Sequence, residues 1–98
     1  MKYKNPSVDR LFQAILTLKD VDECYRFFED ACTIKEILEI AGRFEIACQL
    51  TDNKNYQQIS KDTGVSTTTI SRVNRCLQYG NGGYRTAIER LGLKEESK

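Results

Sequence analysis

Ser66, Thr67, Thr68 and Thr69 stand in a row, and Ser71, Arg72 and Arg75 follow within six residues. Hydroxyl and guanidinium groups so spaced can bond phosphate oxygens and base edges, and a threonine methyl can touch the methyl of thymine. A helix meant only for solvent would favour Glu, Lys, Gln and Ala there, because they propagate helix better. Short hydroxyl side chains instead let a helix approach a groove closely, and the free N–H groups at its start favour an anion. Thr67, Thr68 and Ser71 are the candidates for base-edge contact, since the first residues of a recognition helix lie deepest in the major groove. Arg75, with Gln57, Gln58, Lys61 and Lys54 just upstream, suits phosphate. Asp62 would be repelled by phosphate and is expected to point away.

Other chemistry is poorly supplied. The chain has no histidine, and so lacks the commonest general base and metal ligand. No paired carboxylates or nucleophile–base arrangement stands out, and no enzyme is expected. Cys24, Cys32, Cys48 and Cys76 are too widely spaced for a zinc knuckle; they read as buried free thiols, with no metal and no cofactor expected.

Ninety-eight residues, 40% hydrophobic and 30% charged, make one ordinary globular domain. Net charge is +1 but unevenly spread: residues 1–53 carry seven basic and ten acidic side chains, net −3, and residues 54–90 six basic and two acidic, net +4. That polarity suits one half that packs and another that meets an anion, or only a solvated basic face; charge alone does not decide, and it is the hydroxyl face that points to double-stranded DNA. Apolar runs of two or three residues cannot span a membrane. "MKYKNPSVDR" lacks the apolar stretch of a secretion signal, so a cytoplasmic address is expected.

The reading face needs a scaffold, and the apolar spacing predicts six helices. Asn5-Pro6 opens the first, which should run to about Leu18. Asp20 caps a second, with Val21, Cys24, Tyr25, Phe28 and Ala31 on one face. Thr33 and Glu36 form a capping box for a third, reaching about Thr51. Its apolar residues cover most sides, leaving a polar strip of Lys35, Glu39, Arg43 and Gln49. A helix apolar on most sides must be covered on most sides, and a second subunit is the natural cover. The alternative is a compact monomer in which helices one, two, four and five surround the third. Residues 1–53 then form a helical core and dimerisation region. Asn55 and Gln58 cap a short helix, Tyr56 to Asp62, and Ser66 caps another, Thr67 to about Tyr79. Gly80-Asn81-Gly82-Gly83 is a stop, and a last helix covers residues 84–91, with Gly92 ending it. The tail "LKEESK" is expected to fray.

Residues 54–79 carry the pattern of a helix-turn-helix. Ile59 is apolar in its first helix and Ser60 is small where two helices approach. Gly64 sits where a left-handed backbone is needed, Val65 plugs the turn, and Ile70 and Val73 hold the second helix against the first. An ordinary helix hairpin shares these features; the hydroxyl face separates the two. An adaptor that uses the same motif for protein contact remains the alternative function.

The six-helix plan together with "TGVSTTTISRVNR" resembles the tryptophan repressor superfamily, and most closely its YerC/YecD branch of TrpR-related proteins. The resemblance implies an all-α, six-helix TrpR-like domain that forms an intertwined homodimer. Its helix-turn-helix heads would read successive major grooves of a pseudo-palindromic operator, with half-sites roughly 34 Å apart. It further implies a DNA-binding transcriptional regulator, a repressor; the candidate DNA-binding residues read from the helix-turn-helix itself are Gln57, Gln58, Lys61, Ser66, Thr67, Thr68, Thr69, Ser71, Arg72 and Arg75. Repressors of the family hold the indole of tryptophan between two arginines. Arg43, in "IAGRFEI", and Arg72, in "TISRVNR", resemble that pair and are the candidate ligand-binding residues. Arg43 reads equally as a salt-bridging or snorkelling residue beside Glu39 or Glu45. Where the tryptophan repressor has glycine after the second arginine, this chain has Val73, in space the indole would need. The resemblance therefore leaves the effector unassigned.

Overall fold

Asn5 starts the first helix by accepting the Val8 N–H at 2.9 Å, with Pro6 supplying the preset first turn. In the computed structural model, which describes residues 1–92, this is α1, Pro6–Ile15; α2 follows at Val21–Ala31, α3 at Ile34–Thr51, α4 at Tyr56–Thr63, α5 at Thr67–Tyr79 and α6 at Gly83–Arg90. The fold is all-α, with no strand among the described residues. The tail "LKEESK", expected to fray, lies outside them.

The caps anticipated for the next helices are made. Asp20 accepts from Glu23 N–H at 2.8 Å, and Thr33 and Glu36 exchange bonds of 2.9 and 3.1 Å. Three helices differ from expectation at their ends. α1 stops at Ile15 rather than about Leu18, because Thr17 and Leu18 N–H groups turn to the i−3 carbonyls of Ala14 and Ile15 and the Thr17 hydroxyl also donates to Ala14. α4 runs one residue further, through Thr63, whose hydroxyl donates to the Ile59 carbonyl at 2.7 Å. α6 begins at Gly83 and ends at Arg90, one residue early at each end, its first bond running from Thr86 N–H to the Gly82 carbonyl. Asn53 takes the left-handed backbone, φ 65°, that closes α3. Lys54 N–H there reaches back to the Gln49 carbonyl and Asn53 N–H to that of Leu50, a Schellman-type ending.

The chain divides into two compact units, Met1–Ile37 and the part from Leu38 onward. In the first, α1 and α2 contain no buried residue. Lys4 pairs with Asp9 at 3.5 Å, Arg26 with Asp22, and Phe27 and Phe28 meet edge to face. The second holds the core. Ile46 and Ala47 from α3, Ile59 from α4, Ile70 and Val73 from α5 and Ile88 from α6 are buried together, with Phe44, Leu50, Tyr56, Val65 and Tyr84 packed against them. The cysteines are free, as expected, but not the buried thiols their spacing suggested. Cys24, Cys32 and Cys48 are half-buried and Cys76 is exposed. Cys32 lies past the end of α2, outside its apolar stripe, and Cys76 lies off the buried Ile70–Val73–Leu77 line of α5. Burial, and then the Glu45 carboxylate, push the Cys48 thiol up from its ordinary value.

Candidate nucleic-acid interface

Two short helices and the turn between them present the hydroxyl face. Asn55 and Gln58 cap α4 reciprocally at 2.9 and 3.0 Å. Gly64 then turns the chain with φ 75°, and its N–H closes on the Ser60 carbonyl. Two side chains stitch the turn. Ser60 donates its hydroxyl to the Val65 carbonyl at 2.7 Å, and Val65 N–H donates to the Thr63 hydroxyl at 3.2 Å. Sequence spacing marked Ser60 only as small, and missed that it and Thr63 bond the turn. Beyond it, Ser66 caps α5 by accepting Thr69 N–H at 3.3 Å. Ile70, Val73 and Leu77 bury the opposite face of the helix.

That orientation leaves Thr67, Thr68, Ser71, Arg72 and Arg75 exposed on α5, with Gln57, Gln58 and Lys61 exposed on α4. Among the described residues, Lys61, Arg72 and Arg75 make no hydrogen bond or ion pair, so their charge is available to an anion. Gln58 is partly engaged, its Oε1 held by the Asn55 N–H. Ser66 is the cap, and its hydroxyl also donates to that of Thr69 at 3.3 Å. Thr69 is half-buried, set apart from the exposed Thr67 and Thr68. Lys54 pairs with Asp62 at 3.9 Å, both exposed. A pair so long and so wet is weak and leaves Lys54 free to exchange it for a phosphate.

Behind this face the second unit encloses a cleft of about 540 Å³. Arg43 and Glu39 of α3 line it with Arg72, Thr69 and Cys76 of α5, over walls that include Ile46, Val65, Val73 and Tyr84. The two arginines singled out from the sequence thus share one cavity. Arg43 makes no ion pair with Glu39 or Glu45 among the described residues. Val73 is only 3% exposed; most of its side chain is spent in the core, and the cleft stays open beside it. Tyr84, whose ring stacks obliquely on Phe44 at 6.3 Å, and Cys76 were not foreseen as lining residues. For Cys76 the signal was present, since it lies one helical turn beyond Arg72. For Tyr84 no local signal exists. Gly42, also in the cleft, has nothing within 4 Å of where a Cβ would stand.

No helix among the described residues is long and apolar enough to cross a membrane. Residues 6–92 match the family model described as Trp repressor protein. The chain is 51% identical over 90 residues to the Bacillus subtilis (strain 168) protein YerC, itself uncharacterised, covering 92% of this chain and 86% of that one. Among solved structures it is similar to a TrpR-like protein from Eubacterium eligens ATCC 27750, with 58% identity, TM-score 0.88 and coverage of 93% and 94% of the two chains. A Staphylococcus aureus chain proposed to be a Trp repressor superposes with TM-score 0.89 at 41% identity, over 94% of this chain and 92% of that one.

Proposed function

The chain belongs to the Trp repressor family, and from that premise we propose that it is a dimeric, sequence-specific DNA-binding repressor. It reads a pseudo-palindromic operator with α4, the Gly64 turn and α5 acting as a helix-turn-helix. The observation that carries this reading is the outward face of α5. Thr67, Thr68 and Ser71 offer hydroxyls to base edges, while the unpaired Arg72 and Arg75, with Lys61 from α4, offer charge to phosphates. A partner of chromosomal DNA places the protein in the cytoplasm.

Dimerisation rests on a second observation. Phe12, Leu16, Val21, Tyr25, Ile34, Leu38 and Ile40 are all exposed in the single chain, Leu16 to 84%. Scattered apolar residues are normal on a surface, but this many on or beside three consecutive helices mark an interface. A two-fold pair of reading heads then sets the spacing of the half-sites. The cleft between α3 and α5 is the place for an effector. Two guanidinium groups suit an anionic group, and the apolar walls suit its body.

Selection of bound sequences from a random duplex pool at two salt concentrations tests the function. The expected product is a recurrent two-fold motif whose affinity falls steeply as salt rises. Recovery without sequence preference at both salts overturns specific reading, and no retention on DNA at all favours the adaptor role.

A further inference from the structure

Arg85 is one of the six basic residues of the positive half, and on charge alone it would count among the phosphate contacts. Its geometry is otherwise. From the first turn of α6, its Nε donates to the Leu77 carbonyl at 3.0 Å and its Nη2 donates to Gln78 Oε1 at 2.9 Å. Gln78 Nε2 in turn donates to Asn74 Oδ1 at 3.4 Å, one turn back along α5. The last four carbonyls of a helix lack partners within it, and its C-terminus carries partial negative charge. α5 has no basic residue in its own last turn. Arg85 therefore brings in, from the next helix, the cation that α5 lacks, through a charge-assisted bond to an otherwise open carbonyl. Nearby, Gly80 N–H closes on the Cys76 carbonyl at 2.9 Å. A Cβ at Gly80 would fall on that same oxygen, so the turn that lets Arg85 reach over is fixed by a close approach only glycine allows.

We propose that Arg85 is a positioning residue for DNA reading: it clamps the C-terminal end of α5 to α6, and so sets the pitch at which Thr67, Thr68 and Ser71 enter the groove, without touching phosphate itself. The proposal rests on the repressor reading above. Base contact is more sensitive to pitch than phosphate contact, because bidentate or paired bonds to base edges need close alignment whereas charge attraction does not. Loss of the clamp should therefore reduce specificity and leave the electrostatic part of binding intact.

The test compares wild type, Arg85→Ala, Arg85→Lys and Lys61→Ala on the selected operator duplex and on a scrambled duplex across a salt series. Thermal melting is recorded alongside, and binding is measured where each variant is folded. Arg85→Ala should lose about tenfold of operator affinity, the scale of a charge-assisted bond to a helix end. Its affinity for scrambled duplex and its salt slope should match wild type. Arg85→Lys keeps one donor but not the fork, and should recover part of the loss. Lys61→Ala should behave oppositely, with both duplexes weakened and the slope reduced by about one. If Arg85→Ala melts below the assay temperature, Arg85→Lys gives the same discrimination, since a phosphate contact would tolerate lysine fully. A reduced salt slope for Arg85→Ala, or an unchanged operator-to-scrambled ratio in a folded variant, overturns the proposal while the repressor reading stands. Wild type that binds no duplex in a salt-dependent way overturns both.

Discussion

Thr68 and Lys61 sit on neighbouring helices, are both exposed, and are assigned opposite kinds of work. A base-edge contact carries sequence information and a phosphate contact does not. Thr68→Ala is therefore expected to relax preference at one operator position, at a cost of about 1–3 kcal/mol for the preferred base. Lys61→Ala is expected to weaken every sequence alike. Affinity measured over single-base operator variants separates them, and identical behaviour of the two variants would remove the division of roles. Val73 poses a different question at the same scale. The resemblance to the tryptophan repressor implies a glycine at this position; this chain has a β-branched residue, which is buried at 3% exposure and still forms part of the cleft wall. A cleft of about 540 Å³ remains, but its shape beside Val73 is that of a valine. Calorimetry with tryptophan should show weak or no binding to wild type and measurable binding to Val73→Gly. Tight binding by wild type would show that the valine leaves room for an indole. The glycine variant also loses a core side chain, so its folding must be checked, with a penalty of about 1–3 kcal/mol expected.

At the scale of elements, the helix starts were legible because each cap is written within four residues: Asn5-Pro6, Asp20 with Glu23, Thr33 with Glu36, Asn55 with Gln58, Ser66 with Thr69. The ends were less legible. Thr17, Asn53 and Thr63 close their helices by bonds that any threonine or asparagine in the chain could make, and nothing nearby marks which ones do. The α4–α5 turn stands between these cases. Gly64 announced a left-handed backbone, and the φ of 75° confirms it, whereas the Ser60 and Thr63 bonds that lock the turn were visible only once folded. The cleft and the Arg85 clamp were the least legible of all, since both join residues from different helices that no local pattern links. Because a Cβ at Gly64 would meet nothing within 4 Å, Gly64→Ala isolates the backbone cost. It should destabilise the fold by about 1–2 kcal/mol in urea melts. Gly64→Asn should cost less, because asparagine tolerates the left-handed region. Equal, negligible losses would mean that the turn can relax to another backbone without consequence for α5.

At the scale of the whole molecule, the question is what covers α1, α2 and the start of α3. Among the described residues the buried side chains come from residues 46–88, while Phe12 of α1 and Leu16 just past its end are 51% and 84% exposed. If the chain works alone, a charge at either position is harmless, within about 0.5 kcal/mol as for ordinary surface sites. If a second copy covers them, the same charge is driven into an interface, and folding and association fail together, because small intertwined dimers draw much of their stability from the partner. Wild type should sediment at twice the chain mass, and its melting temperature should rise with protein concentration, as mass action requires of a dimer. Phe12→Glu and Leu16→Glu should sediment as monomers, melt lower and without concentration dependence, and bind the full operator no better than a single half-site. That last comparison links oligomeric state to function, since the preference for two-fold sites exists only while two heads are held at a fixed separation. Monomeric wild type, with both glutamate variants melting unchanged, would leave the apolar face without a role in reading DNA.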